Sequence, residues 1–307
     1  MAKLLWVIHN YPPYQNAGAE WMAKEINDYL KEYHEIVIHC SQGTQDYRHG
    51  AVQIKSGVLD NNDISWCDCI ITHLDQSYKA NDLAKAHNKP IIHILHHSWE
   101  IDILRKPIPN CYVVYNSAWV QADRAYPTPG IIVRPPVDPN RFQGMQPADN
   151  GFITMVNCNI DKGAKVFQQI ARAIPTRQFL AVKGHHGPQI TMRTRNIMQW
   201  ECQEDIRDVL RVTSLLLVPS IYESYGRIAI EAAACGIPVI ASDTPGLRES
   251  LGPVGRFASR DFIQSWLQHI HGPQYEPDAL RARAWELWEN SKKELEGLNN
   301  LINNITQ

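Results

Sequence analysis

Two glutamates eight residues apart, Glu223 and Glu231, are the residues whose types and spacing most suggest chemistry. On one continuous helix this spacing corresponds to a rise of about 12 Å and a rotation of about 80°. That is too far for the carboxylate pairs of glycoside hydrolases, which lie roughly 5 to 9.5 Å apart. We therefore expect Glu223 to lie in a loop and Glu231 within the helix that follows. Two acids placed in this way suit an elongated ligand with hydroxyl groups at both ends.

The residues around the two glutamates predict a strand, a helix and a second strand. Residues 215–218 form an apolar run typical of a parallel strand buried on both faces. Residues 227–235 are rich in alanine and favour a helix, which Gly236 and Pro238 should end. Residues 239–241 then return as a buried strand. The two loops that follow these strands lie at their carboxyl ends, where open parallel sheets bind ligands.

The start of the predicted helix favours an anion. Tyr225, Gly226 and Arg227 place backbone N–H groups at the helix amino terminus, where the helix dipole also favours negative charge. We therefore expect these three residues to hold a phosphate group.

Residues 219–249 carry the pattern P-S-x-x-E-x-x-G-x-x-x-x-E-A-x-x-x-G-x-P-V-I-A-S-x-x-x-G-x-x-E. This pattern resembles the retaining glycosyltransferases of family GT4. The resemblance implies the GT-B fold, an α/β architecture in which two Rossmann-like parallel-sheet domains face each other across a cleft. It also implies that Glu223 lies near the donor sugar, that Glu231 binds the ribose hydroxyls and that the intervening N–H groups hold the diphosphate.

Two elements nearer the amino terminus extend the resemblance. Gly18 is similar to the glycine of a G-G-x-E-like element after the first strand, a place where glycine allows close approach to phosphate or sugar. His96 matches the histidine of the family pattern K-P-x-x-x-x-x-H, which begins here at Lys89. The resemblance implies that His96 lies near the donor sugar and the reacting centre. His97 is the alternative if the register differs by one residue.

The resemblance also implies a cationic clamp for the diphosphate. The family usually has G-R-L-x-x-x-K-G here, and this chain keeps Lys162 and Gly163 but has Asn157 where the arginine is expected. Lys183, beside the glycine of FLAVKG, is a candidate to supply the missing charge. We assign three residues to catalysis: Glu223, His96 and Lys162. The residues assigned to donor binding are Gly18, Asn157, Lys162, Lys183, Tyr225, Gly226, Arg227 and Glu231.

No metal or cofactor is expected. The histidines near residues 93–97 lie on a predicted strand that sends neighbouring side chains to opposite faces, and no carboxylate or cysteine completes a recognisable ligand set. An Asp-x-Asp pair, which holds divalent metal in the other main glycosyltransferase fold, is absent from the sequence. The reaction is therefore predicted to be metal-independent, with the nucleotide sugar as a substrate.

Length and motif positions predict the domain organisation. A chain of 307 residues with 44% hydrophobic and 20% charged residues suggests two globular domains. The proline-rich stretch at residues 134–142 resembles the family's interdomain linker. We predict an acceptor-side domain over residues 1–146 and a donor domain over residues 147–275. The final helix, residues 276–307, is expected to pack back on the first domain, as the resemblance implies.

Charge and cysteine usage limit the partners and the compartment. A net charge of −2 lacks the excess of positive charge that is typical of nucleic-acid-binding proteins. The seven cysteines are scattered and odd in number, which indicates no disulfide framework and favours a reducing, cytoplasmic location. No stretch of the sequence is apolar enough to predict a transmembrane segment, and peripheral membrane contact stays open.

The predicted activity is transfer of a sugar from a UDP- or GDP-linked donor, with retention, to an acceptor that the sequence does not identify. Saccharide, lipid, protein and small-molecule acceptors stay open. One alternative is a nucleotide-sugar epimerase on the same fold, which would need no acceptor. Another is a non-catalytic nucleotide-sugar-binding module, which the missing arginine motivates.

Overall fold

A computed structural model describes residues 1–99, 102–106, 108–185, 187–272 and 276–307. The chain forms two compact units. Unit 1 consists of Met1–Pro136 with Ser291–Gln307, and unit 2 of Val137–Asn290. The predicted boundary at residue 146 falls within unit 2, and the one at residue 275 lies outside the described residues.

Unit 1 is built on one sheet. Its strands are β1 (Lys3–Ile8), β2 (Glu35–Cys40), β3 (Tyr47–His49), β4 (Val52–Ser56), β5 (Cys69–His73), β6 (Ile91–Leu95), β7 (Cys111–Tyr115) and β8 (Gly130–Ile132). Its helices are α1 (Gly18–Leu30), α2 (Asn61–Trp66), α3 (Gln76–His87) and α4 (Ala118–Asp123), with a 3-10 turn at Asp102–Leu104. The strand order is β3-β4-β2-β1-β5-β6-β7-β8, and the ladders are parallel apart from the β3–β4 pair at the edge.

Apolar periodicity places the helices of unit 1 on its sheet. In α1 the residues Met22, Ile26 and Leu30 recur every four positions, so they share one helix face and all are fully buried. This face packs with alternate residues of the strands into one core cluster, while α2, α3 and α4 cover the opposite face of the sheet. Because both faces are covered, β5 and β6 are buried along their whole length, as continuous apolar runs predict.

Unit 2 is a second parallel sheet. Its strands are β9 (Phe152–Val156), β10 (Phe179–Val182), β11 (Ile197–Trp200), β12 (Thr213–Val218), β13 (Val239–Ser242) and β14 (Arg256–Ala258). Its helices are α5 (Ala164–Ala173), α6 (Ile206–Leu210), α7 (Arg227–Ala234), α8 (Pro245–Leu251) and α9 (Ile263–His271), with 3-10 turns at Pro139–Phe142 and Gly252–Val254.

The strand order of unit 2 contains a topological switch point. The order β11-β10-β9-β12-β13-β14 places β9 beside β12. From β9 the chain moves outward to β10 and β11, and from β12 it moves the other way to β13 and β14. The loops after β9 and β12 therefore diverge at a topological switch point, where open α/β sheets bind their ligands.

The long helix α10 (Pro277–Ile305) is shared between the units. Ala284 and Leu287 in its first half pack into a core cluster of unit 2. Leu295, Leu298 and Ile302 in its second half pack into a core cluster of unit 1. The two sets of buried residues therefore tie one continuous helix to both units.

Candidate active site

The loops that follow β9 and β12 meet at the switch point of unit 2. The backbone N–H of Ile221, in the loop after β12, donates to the carbonyl of Asp161, in the loop after β9, at 2.7 Å. This bond brings together the two segments that carry Lys162 and Glu223. As predicted, Glu223 lies in the loop and Glu231 lies within α7.

Lys162 and Glu223 form an ion pair although they are far apart in the sequence. Lys162 Nζ lies 2.7 Å from Glu223 Oε1, and the hydroxyl of Ser220 donates to the same oxygen at 2.8 Å. The Lys162 side chain is 34% exposed and that of Glu223 is 13% exposed. The lysine therefore keeps access to solvent, while the carboxylate is oriented from two sides.

Glycines allow the loop backbones to approach each other. Gly163 has a φ of 87°, and a Cβ placed there would lie 2.1 Å from the carbonyl oxygen of Pro219. Gly246, at the start of α8, is equally confined, since its Cβ would lie 2.2 Å from the carbonyl oxygen of Glu223. The positions of Lys162 and Glu223 thus depend on the absence of a side chain at both neighbours.

The start of α7 carries a second, more buried ion pair. Arg227 Nε lies 2.8 Å from Glu231 Oε1, and the side chains are 9% and 8% exposed. Gly226 caps the helix with a φ of 83°, a conformation that glycine adopts without strain. The ring of Tyr225 is buried in the core beside α7, so only its backbone is suited to the phosphate contact that the sequence predicts.

Asn157 and Lys183 lie at the ends of the neighbouring strands β9 and β10. Asn157 has a φ of 72°, and its side-chain oxygen accepts from Asn159 N at 3.2 Å and from Gln189 Nε2 at 3.0 Å. Lys183 Nζ pairs with the exposed carboxylate of Glu201 at 2.6 Å. Among the described residues no contact joins Lys183 to the Lys162–Glu223 pair. Asn157 therefore organises its loop, and Lys183 lies outside this cluster.

The two candidates from unit 1 lie at the same edge of its sheet. Gly18 begins α1, and a Cβ there would meet nothing within 4 Å. Packing therefore does not require glycine at this position, and the open space beside Gly18 can admit a ligand. His96 follows β6 and is half-buried. The alternative, His97, has its Nδ1 3.2 Å from the backbone N–H of Trp99, which donates to it.

Three residues that the sequence analysis did not select form a series of contacts that begins at His96 and runs through His73 and His9 to Glu20. His73 Nδ1 lies 3.0 Å from His96 Nε2, the rings of His9 and His73 are 5.6 Å apart, and His9 Nε2 lies 2.7 Å from Glu20 Oε1. The signal in the sequence is positional: the adjacent strands β1, β5 and β6 each end in or near a histidine. Strand order is needed to see that these ends are neighbours.

The environment sets the charge of these rings. Burial alone would lower the pKa of His9, but the hydrogen bond and charge of Glu20, with the charge of Asp75, outweigh it and raise the pKa above its usual value. Burial, reinforced by His96 and His9, holds the pKa of His73 well below its usual range. Burial also lowers the pKa of His96 to about 3. At neutral pH His73 and His96 are therefore uncharged.

Within the described part of the chain, no group of three or more histidine, cysteine, aspartate or glutamate side chains is arranged to hold a metal ion. None of its helices combines the length and the apolar character needed to cross a bilayer.

Residues 192–304 match the family model described as glycosyl transferases group 1. The carboxyl-terminal part of this chain is therefore similar to group 1 glycosyltransferases. Its curated relatives include the D-inositol 3-phosphate glycosyltransferases of Gordonia bronchialis, 38% identical over 77 residues, and of Rhodococcus erythropolis, 53% identical over 68 residues. These matches cover 24% and 22% of this chain, and 17% and 15% of the relatives. The matched part is thus less than a fifth of the length of either relative.

Solved structures extend the likeness in fold to the full length of the chain. A glycosyltransferase from Rickettsia africae superposes with a TM-score of 0.77 at 15% identity, covering 100% of this chain and 99% of that one. The Anabaena protein Alr3699/HepE, solved in complex with UDP and glucose, gives a TM-score of 0.71 at 14% identity, with 99% of both chains covered. Together with the two parallel sheets, these likenesses establish the GT-B fold.

Proposed function

We propose that this chain transfers a glycosyl group from a nucleoside-diphosphate sugar to an acceptor, with retention at the anomeric carbon. The observation that carries the proposal is the Lys162–Glu223 pair at the switch point of unit 2, next to the start of α7. A cation, a carboxylate and a helix amino terminus there match the charges and hydroxyls of a nucleotide sugar.

Lys162 is assigned to the leaving diphosphate. Glu223 balances its charge in the structure, and a diphosphate offers the partly exposed ammonium group a stronger anionic partner. When the bond between the anomeric carbon and the diphosphate oxygen breaks, negative charge grows on the leaving group. A lysine and helix N–H groups fixed beside it stabilise this charge more in the transition state than in the ground state.

The two glutamates are assigned to opposite ends of the donor. Glu231, whose Oε1 pairs with Arg227, is assigned to the ribose hydroxyls, as the resemblance to family GT4 implies. Glu223, released from Lys162 by the diphosphate, is assigned to the hydroxyls of the sugar. The presence of UDP and glucose in the Anabaena structure supports a UDP-linked donor here.

The resemblance to family GT4 supports roles for two residues of unit 1. We assign His96 to the donor sugar and Gly18 to close backbone approach by the donor. The acceptor stays open among saccharide, lipid, protein and small molecule. No cofactor is assigned, and the reaction is proposed to be metal-independent.

The deciding experiment separates nucleotide binding from transfer. Binding of UDP and GDP is measured by calorimetry with magnesium and with chelator, and hydrolysis of the matching sugar nucleotide is followed as turnover. Glu231→Gln should weaken nucleotide binding about tenfold or more, because hydrogen bonds to a charged group contribute about 1.5 to 3 kcal/mol. Glu223→Gln should lower turnover while the nucleotide Kd stays within about twofold.

The matched control is Arg211→Gln, which breaks an exposed ion pair with Asp208 elsewhere in unit 2 and should change neither quantity. Equal losses of nucleotide affinity in both glutamate variants would contradict the division of roles. Binding of neither nucleotide by the wild-type chain would contradict the proposed donor class.

A second candidate is a non-catalytic module that binds nucleotide sugars. Asn157 favours it, because this residue replaces the expected arginine and its amide oxygen is used within its own loop. The cationic clamp then lacks one charge. Nucleotide binding without hydrolysis or transfer to any acceptor would support this candidate over the enzyme.

We further infer that the protein works in a reducing compartment such as the cytoplasm. Cysteines 40, 67, 69, 111, 158, 202 and 235 are all unpaired, and all but Cys202 are buried. Unpaired thiols persist where the surroundings keep them reduced.

A further inference from the structure

Three neighbouring strands of unit 1 deliver histidines to one edge of its sheet. His73 is the last residue of β5, His9 directly follows β1, and His96 directly follows β6. The order β1-β5-β6 is parallel throughout, so these strand ends lie side by side. The central position belongs to His73, which is fully buried.

The contact between His73 and His96 restricts both rings. Their facing nitrogens, His73 Nδ1 and His96 Nε2, are 3.0 Å apart, and the rings meet edge to face with centroids at 5.0 Å. A hydrogen bond between two nitrogens needs a single hydrogen, because two hydrogens would repel and none would leave two lone pairs opposed. Since both rings are neutral, the tautomer of one ring then determines that of the other. A hydrogen on Nε2 of His73 would be buried without a partner among the described residues, so the pair favours a hydrogen on His73 Nδ1, which His96 Nε2 accepts.

We propose that His73 is a positioning residue that fixes the tautomer and the ring orientation of His96, so that Nδ1 of His96 is the nitrogen presented to the ligand. This inference rests on the proposed function, in which His96 meets the donor sugar. Nε2 of His96 faces His73, so Nδ1 is the other ring nitrogen that can meet a partner. A fixed tautomer decides whether that nitrogen donates or accepts a hydrogen bond.

The second ring nitrogen of His73 argues against a purely structural role. Nε2 is buried and has no hydrogen-bond partner among the described residues. An unsatisfied buried polar group destabilises the folded chain, and an apolar side chain would fill the position without that cost. The geometry thus favours a histidine at residue 73 for its contact with His96.

His9 and Glu20 support this arrangement from the other side. Glu20 is almost fully buried, and its Oε1 accepts hydrogen bonds from His9 and from Gln15 Nε2 at 3.1 Å. This favours the protonated form of His9, the ring next to His73. A positive charge beside His73 opposes its protonation, which keeps the His73–His96 pair neutral.

The test combines histidine nitrogen NMR with turnover. The whole chain is labelled with 15N at its histidines, and the His96 signals are identified by their loss in His96→Gln. The wild-type protein should show His96 as a single neutral tautomer between pH 6 and pH 8. His73→Leu should convert it to a mixture of tautomers and lower kcat for the sugar nucleotide by about tenfold or more, with an unchanged nucleotide Kd.

Two further variants provide the controls. In His73→Asn the amide can occupy the place of Nδ1, so the His96 tautomer and most of kcat should be restored. His93→Leu removes another fully buried histidine of β6, whose ring nitrogens have no partner among the described residues. It should leave the His96 tautomer unchanged.

The outcomes separate this inference from the proposed function. A wild-type His96 that already exchanges between tautomers would overturn the inference, whether or not any variant folds. An unchanged His96 tautomer in folded His73→Leu would also overturn the inference. Absence of nucleotide binding and turnover in the wild-type chain would instead refute the proposed function, and the NMR result would still decide whether His73 positions His96.

Discussion

Replacing Gly163 by alanine should both destabilise unit 2 and disturb the candidate site. The positive φ of 87° costs a residue with a Cβ about 1 to 2 kcal/mol. The added Cβ would also lie 2.1 Å from the carbonyl oxygen of Pro219, a backbone atom that cannot rotate away. Overpacking of this kind costs about 1 to 3 kcal/mol. The expected total loss is therefore about 2 to 5 kcal/mol.

Gly144→Ala is the matched control within unit 2. Gly144 has a φ of 78°, and a Cβ there would meet nothing within 4 Å. This variant carries the backbone strain without the clash, so it should lose only about 1 to 2 kcal/mol. The difference between their losses of unfolding free energy then measures how closely the loops after β9 and β12 are packed.

Unfolding in urea is followed by circular dichroism and by tryptophan fluorescence. Where both signals show the same transition, it gives the free energy of unfolding of each variant. Nucleotide affinity gives the functional effect, because a shift of Pro219 displaces Glu223 from Lys162. We expect Gly163→Ala to weaken nucleotide binding and Gly144→Ala to leave it unchanged. Equal stability losses in the two variants would refute the reasoning.

Two further changes test the surroundings of the site. His9→Gln should cost most stability below pH 6.5 and less at higher pH. Although burial opposes it, Glu20 raises the folded-state pKa of His9, so the added stability is complete below the unfolded pKa and is lost as pH rises through the raised one. A difference in unfolding free energy that is the same at pH 5.5 and pH 8.5 would contradict this. Asn157→Arg, which introduces the family's usual residue, should destabilise the chain by about 1 to 3 kcal/mol, since it places a long side chain at a φ of 72° and removes the amide contacts. Unchanged thermal unfolding in Asn157→Arg would show that the loop accepts arginine freely.

Much of the secondary structure follows from local sequence. The predicted helix over residues 227–235 corresponds to α7, which ends one residue earlier at Ala234. The predicted strands over residues 215–218 and 239–241 lie within the slightly longer β12 and β13. Such segments are predictable because their apolar residues recur with the period of a helix or form an uninterrupted buried run.

Short elements were not predicted. The edge strand β3 and the helices α2 and α8 were absent from the prediction, and each spans only three to seven residues. A segment of this length shows too few periods for a pattern to emerge. Such elements form because a neighbouring strand or a cap stabilises them, as the side chains of Asp60 and Thr244 do for α2 and α8.

The sequence by itself determined the α/β class, the alternation of strands and helices, and the placement of Glu223 in a loop and Glu231 in a helix. These features depend on residues close together along the chain. Only the tertiary structure decided which charges meet. Lys162 and Glu223 are 61 residues apart, and His73 and His96 are 23 apart. Their contacts depend on strand order, which is set by packing across each sheet and leaves no local pattern in the sequence.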